Sequence, residues 1–442
     1  MTPMHSLLVE HFAPVALEDL VVLRQELPCW TRADVQLEIT RLVAEHPGHR
    51  FSGARLRNEF REFRFPNLLE EGDQAIAVGP PVYSDVPIGG DESVRCLLRG
   101  LWLARAGDIP FGLLLAVEDE DQFGTRLRLE AATPAGEAAE ALAARFLRRL
   151  RAAGESARSL RGKVLAPAHE EYAAQFAPPE FRVQPIEPVQ REDLVLAPGV
   201  LEMVERNTLG FAARADALAG LGMSPRKGVL LFGPPGVGKT LIARYLMGRL
   251  EGWTSFVLRA DEMEHLRKTI HAARLLAPAL VVIEDIDLIG AARDGPYQES
   301  PARLNALLNE MDGVGPDAKI MFLLTTNRVE VLEPALSSRP GRVDQAIEIG
   351  LPGERERFRL LEHYARGLPL ATEAIAALAK RIGSVSPAYI KELVRRAAQA
   401  MLERGGEQLE MADFDSALHD ISSLGGKLGR RATGAEAVIG FR

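Results

Sequence analysis

The spacing of apolar and polar residues predicts both helices and strands in the first part of the chain. Residues 1 to about 60 contain helix-like runs such as RADVQLEITRLVAEH between Pro and Gly breaks. Between residues 95 and 131, RCLLRGLWLARA and FGLLLAVED are mainly apolar and RLRLEA alternates with period two, which predicts three strands. A helix follows, because apolar residues recur at spacings of three and four: Ala139, Leu142, Ala143, Phe146, Leu147 and Leu150. We expect residues 1–163 to form an α+β recognition domain without catalysis.

The pattern changes in the second part of the chain. Five prolines between Val164 and Asp193 disfavour regular structure and predict a linker over residues 164–192. Strand-like and helix-like runs then alternate from about Leu194 to Ile349, which is typical of a parallel sheet covered on both faces. The expected domains are therefore an α/β nucleotide-binding domain over 193–352, a helical domain over 353–424 and a flexible Gly-rich tail over 425–442.

Composition narrows the class of protein. A chain of 442 residues with a net charge of -8 has no overall surplus of Lys and Arg, so nucleic acid is disfavoured as the main partner. Its two cysteines are far apart in sequence, which excludes a disulfide framework and a zinc site and fits a reducing cytoplasm. No apolar run approaches the ~20 residues that cross a bilayer, and the first residues lack the basic lead of a signal peptide. We expect a cytoplasmic protein.

The segment KGVLLFGPPGVGKTLIARYLMG contains a phosphate-binding loop. Its G-x-x-x-x-G-K-T motif follows a strand-like run and precedes a helix-like run, which is the context that this loop requires and which nearly excludes an unliganded Gly-rich turn. Lys239 is expected to place its charge on the β- and γ-phosphates, and Thr240 its hydroxyl on Mg²⁺. The candidate nucleotide-binding residues are Gly233, Pro234, Pro235, Gly236, Val237, Gly238, Lys239, Thr240 and Leu241.

A pair of carboxylates ends the apolar run in VVIEDIDLIG. We expect this strand to lie beside the strand of the phosphate loop, so that Glu284 holds Mg²⁺ and Asp285 activates the attacking water. Most strands of this kind carry Asp before Glu. The reversed order shifts each carboxylate, and a misplacement of about 1 Å can reduce a rate ~100-fold. Two acids that merely face solvent are the alternative, which the upstream phosphate loop disfavours.

Three further polar residues complete the candidate site. The apolar strand KIMFLLTTN ends at Asn327, whose amide could reach the γ-phosphate and the water. Downstream, LEPALSSRPGR places Arg339 and Arg342 around a Pro-Gly turn. Planar guanidinium groups suit a transferring phosphoryl group, and arginines in such a turn can serve the nucleotide of a neighbouring subunit.

In their order and spacing, GPPGVGKT, VVIEDID, LNALLNEMDGV, TTN and LEPALSSRPGR resemble the ATPase module of the AAA family, in its branch with FtsH, the proteasomal ATPases and valosin-containing protein. The resemblance covers about residues 193 to 421. It implies an α/β P-loop domain with a parallel sheet and a C-terminal helical lid. It also implies a homohexameric ring that uses ATP and Mg²⁺ to pull on a protein substrate. Within it, Arg339 and Arg342 match the arginine fingers, Asn327 matches the first sensor, and residues 194–197 would face adenine.

The sequence departs from the family pattern at three places. The Glu-Asp order is shared with the mitochondrial Rieske-protein translocase branch, which uses ATP, so the order alone does not indicate a dead enzyme. The usual aromatic pore loop is replaced by DEMEHLRKTIHAARLLA, in which Met263 or Leu266 could substitute. Finally, LEPALSSRPGR carries one residue more than the common spacing before its arginines.

The resulting hypothesis is a ring-forming ATPase that remodels, unfolds or disassembles a protein client selected by the N-terminal domain. An ATP-gated assembly scaffold with little sustained hydrolysis is the alternative. A nucleic-acid motor is a third hypothesis, which the acidic composition disfavours.

Overall fold

The computed structural model describes residues 3–56, 62–70, 75–120, 124–168, 180–290, 300–315, 317–329, 343–368, 370 and 372–424. The chain forms two compact units, Met1–Pro185 and Ile186–Arg442, which we call unit 1 and unit 2. The division falls inside the segment expected to be a linker. Among the described residues, no helix combines the length and apolar character that crossing a bilayer requires.

Unit 1 is built on an antiparallel sheet of seven strands in the order β1-β7-β6-β5-β2-β3, with β4 paired to β5. The strands are β1 Leu20–Pro28, β2 Arg50–Arg55, β3 Ala77–Gly79, β4 Val82–Gly89, β5 Glu92–Ala106, β6 Ile109–Glu120 and β7 Gly124–Pro134. The described helices are α1 Met4–Phe12, α2 Arg32–Ala44, α3 Phe65–Leu68 and α4 Glu137–Ser156. A short antiparallel pair, β8 Val164–Pro167 and β9 Phe181–Val183, lies within the expected linker.

Helices cover both faces of the unit 1 sheet. Leu113 and Leu115 of β6 pack with α2 and α4, whereas Leu114 and Ala116 pack with α1 and α3. Because neighbouring strand residues point to opposite faces, a sheet covered on both sides needs strands that are apolar throughout. This explains the continuous apolar runs in β5 and β6.

The predictions for unit 1 are confirmed where the pattern is long and regular. The three expected strands lie within β5, β6 and β7, and the six apolar residues of the expected helix are buried on α4. The helix-like interpretation of residues 1 to about 60 missed β1 and β2. In β1 only Leu27 is fully buried, so the strand carries no clear alternation of buried and exposed positions.

Unit 2 contains five parallel strands in the order β14-β10-β13-β12-β11. The strands are β10 Lys227–Phe232, β11 Thr254–Arg259, β12 Ala279–Glu284, β13 Ile320–Thr326 and β14 Gln345–Glu348. The described helices around them are α5 Val200–Asn207, α6 Leu209–Ala212, α7 Ala215–Gly220, α8 Lys239–Arg249, α9 Leu266–Leu275 and α10 Ser300–Gly313.

The strand order corrects one expectation. We expected the strand that ends in Glu284 to lie beside the strand of the phosphate loop, but β13 pairs with both β10 and β12 and separates them. The order of strands along a chain does not specify their order in a sheet, and the motifs alone could not supply it. The consequence is that Asn327, directly after β13, lies between the phosphate loop and the carboxylate pair.

The last part of unit 2 is helical, as expected. Its described helices are α11 Glu354–Tyr364, α12 Thr372–Arg381, α13 Pro387–Glu403 and α14 Met411–Leu424. They share an apolar core that includes Leu361, Leu378 and Leu393. Ser386 caps α13 by accepting a hydrogen bond from the backbone N–H of Tyr389 at 3.3 Å, and proline occupies the first turn, where its missing N–H costs nothing.

Candidate active site

The phosphate loop needs glycine where its backbone approaches other segments. At Gly233 φ is +148°, and a Cβ would lie 2.1 Å from the carbonyl oxygen of Ile349. At Gly236 φ is +78°, and a Cβ would lie 2.9 Å from Cβ of Ala388 in α13. The loop therefore sits against the β14 end of the sheet and against the first turn of α13. Any larger side chain at either glycine would push it away.

Lys239 lies at the centre of a hydrogen-bond network. Its side chain is only 6% exposed. Its Nζ donates to the carbonyl oxygens of Gly233 at 2.8 Å and Pro234 at 3.0 Å, and to Oδ1 of Asn327 at 2.8 Å. Burial lowers the pKa of Lys239, and the nearby carboxylates of Asp285 and Asp287 oppose that shift. The three protons of the ammonium group are thus all used within the protein.

Asn327 joins Lys239 to Asp285. Its Nδ2 donates to Oδ1 of Asp285 at 3.1 Å. The backbone N–H of Asp285 donates to Oγ1 of Thr325 at 3.0 Å, which ties the end of β12 to β13. Lys239, Asn327 and Asp285, which the sequence analysis selected separately, therefore form one connected group at the carboxyl ends of the strands.

The backbone of Asp285 gives a physical reason for the unusual Glu-Asp order. Its φ is +52°, in the left-handed region. Asp and Asn are the non-glycine residues that adopt this conformation most readily, because their short polar side chains can hydrogen-bond locally. A longer Glu at this position would gain no such compensation. The order therefore matches the turn that follows β12.

The sequence analysis missed Asp287. This residue is 7% exposed. Its Oδ1 accepts hydrogen bonds from Oγ1 of Thr326 at 2.9 Å and from the backbone N–H of Asn327 at 3.0 Å. The signal was present as the third acid of VVIEDIDLIG, but only the two residues at the strand end were considered.

A cavity of about 420 Å³ opens next to these residues. Residues 194–196, within the segment expected to face adenine, form part of its wall. The helical domain adds Leu360, Tyr364 and Lys391. The remaining lining residues include Pro235, Gly236, Val237, Gly238, Lys239, Thr240, Leu241, Asp285 and Asn327. Apolar lining residues such as Leu194 and Val195, together with convergent polar groups such as Lys239 and Asp285, suit a ligand with an aromatic base and a charged tail.

Thr240 and Glu284 offer the oxygen donors expected for Mg²⁺. Thr240 is exposed on the first turn of α8, and Glu284 is half-buried at the end of β12. A hydroxyl and a carboxylate are ligands that this hard cation accepts together with substrate phosphates. The chemistry of the two residues therefore fits the metal.

The remaining sequence predictions have different outcomes. Arg339 and Arg342 lie outside the described residues, so their roles stay predictions. The expectation that Leu266 could grip a substrate is wrong, because this side chain is only 3% exposed at the start of α9. Met263 is half-buried in the 3-10 turn before α9, and its proposed contact with substrate stays a prediction.

Comparison with known proteins agrees with this geometry. Residues 229–351 match the family model described as "ATPase family associated with various cellular activities (AAA)". The chain is 35% identical over 234 residues to ATP-dependent zinc metalloprotease FtsH 3 of Sphaerobacter thermophilus, covering 50% of this chain and 47% of the relative. It is 36% identical over 225 residues to FtsH of Acidimicrobium ferrooxidans, covering 48% of this chain and 34% of the relative. It is 37% identical over 238 residues to FtsH of Acaryochloris marina, covering 50% of this chain and 35% of the relative.

The matched segments thus span between about a third and a half of these relatives. The family model falls on the region that contains the phosphate loop, the carboxylate pair and Asn327. Residues 229–351 accordingly form an AAA ATPase domain, and about half of the chain is similar to FtsH proteins.

Proposed function

We propose that this protein is a ring-forming ATPase that couples ATP hydrolysis to the remodelling, unfolding or disassembly of protein clients. The observation that carries the proposal is the continuous network from Lys239 through Asn327 to Asp285 beside the 420 Å³ cavity. Within this hydrogen-bonded group we assign Lys239 as the phosphate-binding cation, Asn327 as the water-orienting amide and Asp285 as the general base.

Each residue has a distinct role in the proposed reaction. Lys239 neutralises the β- and γ-phosphates, while the backbone N–H groups of the loop cradle them. Thr240 and Glu284 hold Mg²⁺, which neutralises negative charge on the phosphates when it is bound. Asp285 accepts the proton of the attacking water, and Asn327 orients that water toward the γ-phosphate.

Binding of the triphosphate must rearrange the network. All three donors of Lys239 bond to protein oxygens, so a phosphate oxygen has to replace at least one of them. Two of these acceptors are backbone carbonyls of the loop, whereas Oδ1 of Asn327 belongs to a side chain that can rotate. We propose that the phosphate displaces Asn327, which frees its amide to meet the attacking water beside Asp285.

Assembly completes the proposed mechanism. In a homohexamer, Arg339 and Arg342 of one subunit would reach the nucleotide of the next and stabilise charge on the transferring phosphoryl group. ATP would then strengthen the contacts between subunits, and hydrolysis would release them and move the client. We propose that unit 1 selects that client, and we place the protein in the cytoplasm.

Phosphate release from the purified chain tests the proposal. We expect turnover with ATP and Mg²⁺ to fall on the order of 100-fold in both Asp285→Asn and Arg339→Ala, since each loses a group that acts on the transition state. ATP binding should persist in both. Asp317→Asn is the matched control, because Asp317 is exposed in the turn before β13. Equal turnover in Asp285→Asn and wild type would contradict the assigned base.

One observation favours the alternative function, an ATP-gated assembly scaffold with little sustained hydrolysis. The structure has Lys239 and Asp285 both engaged through Asn327, an arrangement that also suits a protein that binds ATP and turns it over rarely. Size-exclusion chromatography with light scattering, run with and without ATP, separates the two hypotheses. ATP-dependent assembly with negligible phosphate release supports the scaffold, and a monomer at saturating ATP contradicts both.

Client capture addresses remodelling itself. Asp285→Asn should hold ATP and retain clients, whereas the double variant Lys239→Ala/Asp285→Asn should not bind ATP. Proteins enriched by the first variant over the second are client candidates. Identical captured sets would count against remodelling.

A further inference from the structure

Asp287 is a buried carboxylate to which neither the sequence motifs nor the proposed mechanism assigns a role. It lies in the 3-10 turn Ile286–Gly290, two residues after Asp285. Removing a carboxylate from water is unfavourable unless hydrogen-bond donors compensate it. Its position at the end of the sheet, rather than on an outer surface, therefore requires donors that face it.

Among the described residues, two donors to Asp287 come from the end of β13. Oδ1 of Asp287 accepts from Oγ1 of Thr326 at 2.9 Å and from the backbone N–H of Asn327 at 3.0 Å. Oγ1 of Thr326 in turn accepts from the backbone N–H of Arg328 at 3.0 Å. One carboxylate oxygen thus holds the last residue of β13 and the residue that follows it.

These contacts fix the residue whose side chain joins the two ends of the site. The amide of Asn327 contacts Nζ of Lys239 at 2.8 Å and Oδ1 of Asp285 at 3.1 Å. A side-chain amide bridges two such groups most precisely when its own backbone is held, and connecting segments are generally more mobile than the strands that they follow. Asp287 supplies that restraint directly at the backbone N–H of Asn327.

We propose that Asp287 is a positioning residue for ATP hydrolysis, which holds the backbone of Asn327 so that its amide contacts Lys239 in the absence of nucleotide and stays beside Asp285 when the phosphate replaces it on Lys239. This inference rests on the proposed ATPase function of the same site. Asp287 acts on the reaction only through Asn327. Its loss should therefore reduce the rate of the chemical step more than the affinity for ATP, because displacement of a reacting group by about 1 Å can cost ~100-fold.

Two variants at this position separate placement from folding. Asp287→Ala removes the acceptor, whereas Asp287→Asn keeps an oxygen in nearly the same place. We expect Asp287→Ala to lower kcat roughly 10- to 100-fold while Kd for ATP, measured with a fluorescent ATP analogue, changes by less than about threefold. Asp287→Asn should recover kcat to within about fivefold of wild type. Asp261→Ala, in the exposed part of another 3-10 turn, serves as the control.

The outcomes distinguish this inference from the function on which it rests. If wild type hydrolyses ATP and Asp287→Ala keeps its kcat within twofold, the positioning role is overturned while the ATPase assignment stands. Equal losses in kcat and in ATP affinity would also overturn it, since they indicate general damage to the site.

If wild type shows no turnover, the proposed function fails, and a crystal structure of nucleotide-free Asp287→Ala decides the inference. The distance between Oδ1 of Asn327 and Nζ of Lys239 should increase by about 1 Å in Asp287→Ala and stay near 2.8 Å in Asp287→Asn. An unchanged distance in Asp287→Ala would overturn the positioning role.

Discussion

The two units contain cavities of nearly equal volume, about 430 Å³ in unit 1 and about 420 Å³ in unit 2. The unit 1 cavity is lined mainly by apolar residues such as Phe12, Ile109 and Pro110, and its lining also includes the charged residues Arg105 and Asp108. The unit 2 cavity contains Lys239, which is hydrogen-bonded to other lining residues. Volume therefore does not identify a functional site. A functional site is identified better by polar groups that converge on one point and are hydrogen-bonded to one another.

Buried charge is not sufficient either. In unit 1, Arg128 is 3% exposed, and its Nη2 lies 2.9 Å from Oε2 of Glu118 and 3.1 Å from Oε1 of Glu26. Glu26 on β1 lies directly opposite Arg128 on β7, and Glu118 on β6 lies diagonally from it, opposite Arg126, so that the three side chains form ion pairs across the sheet. In unit 2, by contrast, Asp285 follows the end of β12, Lys239 begins α8, and both line a cavity. Charged side chains that pair with one another within the sheet stabilise the fold. Charged side chains that line a cavity can bind a substrate.

Breaking the unit 1 ion cluster should have the largest effect on stability. Arg128→Ala removes a buried guanidinium and leaves the half-buried Glu118 paired with Arg64 at 3.5 Å, so we expect a loss of about 3 kcal/mol, the lower end of the cost of breaking a buried pair. Hydrogen exchange of amides in β5, β6 and β7 measures the loss of unfolding free energy. Arg95→Ala is the control, since Arg95 and Asp85 form an exposed pair worth about 0–1 kcal/mol. If Arg128→Ala lowers the unfolding free energy by less than about 1 kcal/mol, this ion cluster stabilises unit 1 no more than an exposed ion pair does.

Removing Lys239 should abolish the function of the second cavity. We expect Lys239→Ala to lower kcat/KM for ATP on the order of 10²–10³-fold, because a positioned cation no longer meets the phosphates. Amide exchange in unit 1 should not change. Lys268→Ala, on the exposed side of α9, provides the matched control for loss of a lysine. Steady-state phosphate release measures both variants, and equal losses would mean that the effect is not specific to the loop.

The same contrast explains how much the sequence could predict. The residues that bind phosphate are contiguous, so GPPGVGKT shows them directly, and strand-end acids and amides follow from apolar runs that end in a polar residue. Other features depend on contacts between distant segments. The insertion of β13 between β10 and β12 depends on strand pairing that no local pattern records. The left-handed backbone of Asp285 and the contact of Asp287 with Asn327 depend in turn on that pairing.

Unit 1 shows the same limit in another form. Leu113 to Ala116 could be predicted as strand, because burial on both faces demands an apolar run. The pairing of Arg128 with Glu118 and Glu26 could not, because the three residues lie on three different strands. Charged residues in an otherwise regular strand, such as RLRLEA, give no indication of which partner will bury them.

The smallest expected effects on stability come from replacing one glycine with positive φ in each unit. Gly90 has φ +60° in the turn between β4 and β5, and a Cβ there would meet nothing within 4 Å, so Gly90→Ala should cost only the left-handed strain of about 1 kcal/mol. Gly233→Ala adds a clash with the backbone oxygen of Ile349 and should cost about 2–3 kcal/mol.

Because Ile349 also donates its backbone N–H to the carbonyl oxygen of Phe232 at 2.7 Å, neither β10 nor the end of β14 can move away alone. The displacement must pass into the phosphate loop, so Gly233→Ala should also weaken ATP binding at least ~10-fold, the effect of about 1.4 kcal/mol of binding free energy. Urea unfolding monitored by hydrogen exchange gives the two stabilities, and titration with a fluorescent ATP analogue gives the affinity. Intact ATP affinity in Gly233→Ala would show that the close approach to Ile349 does not set the shape of the loop.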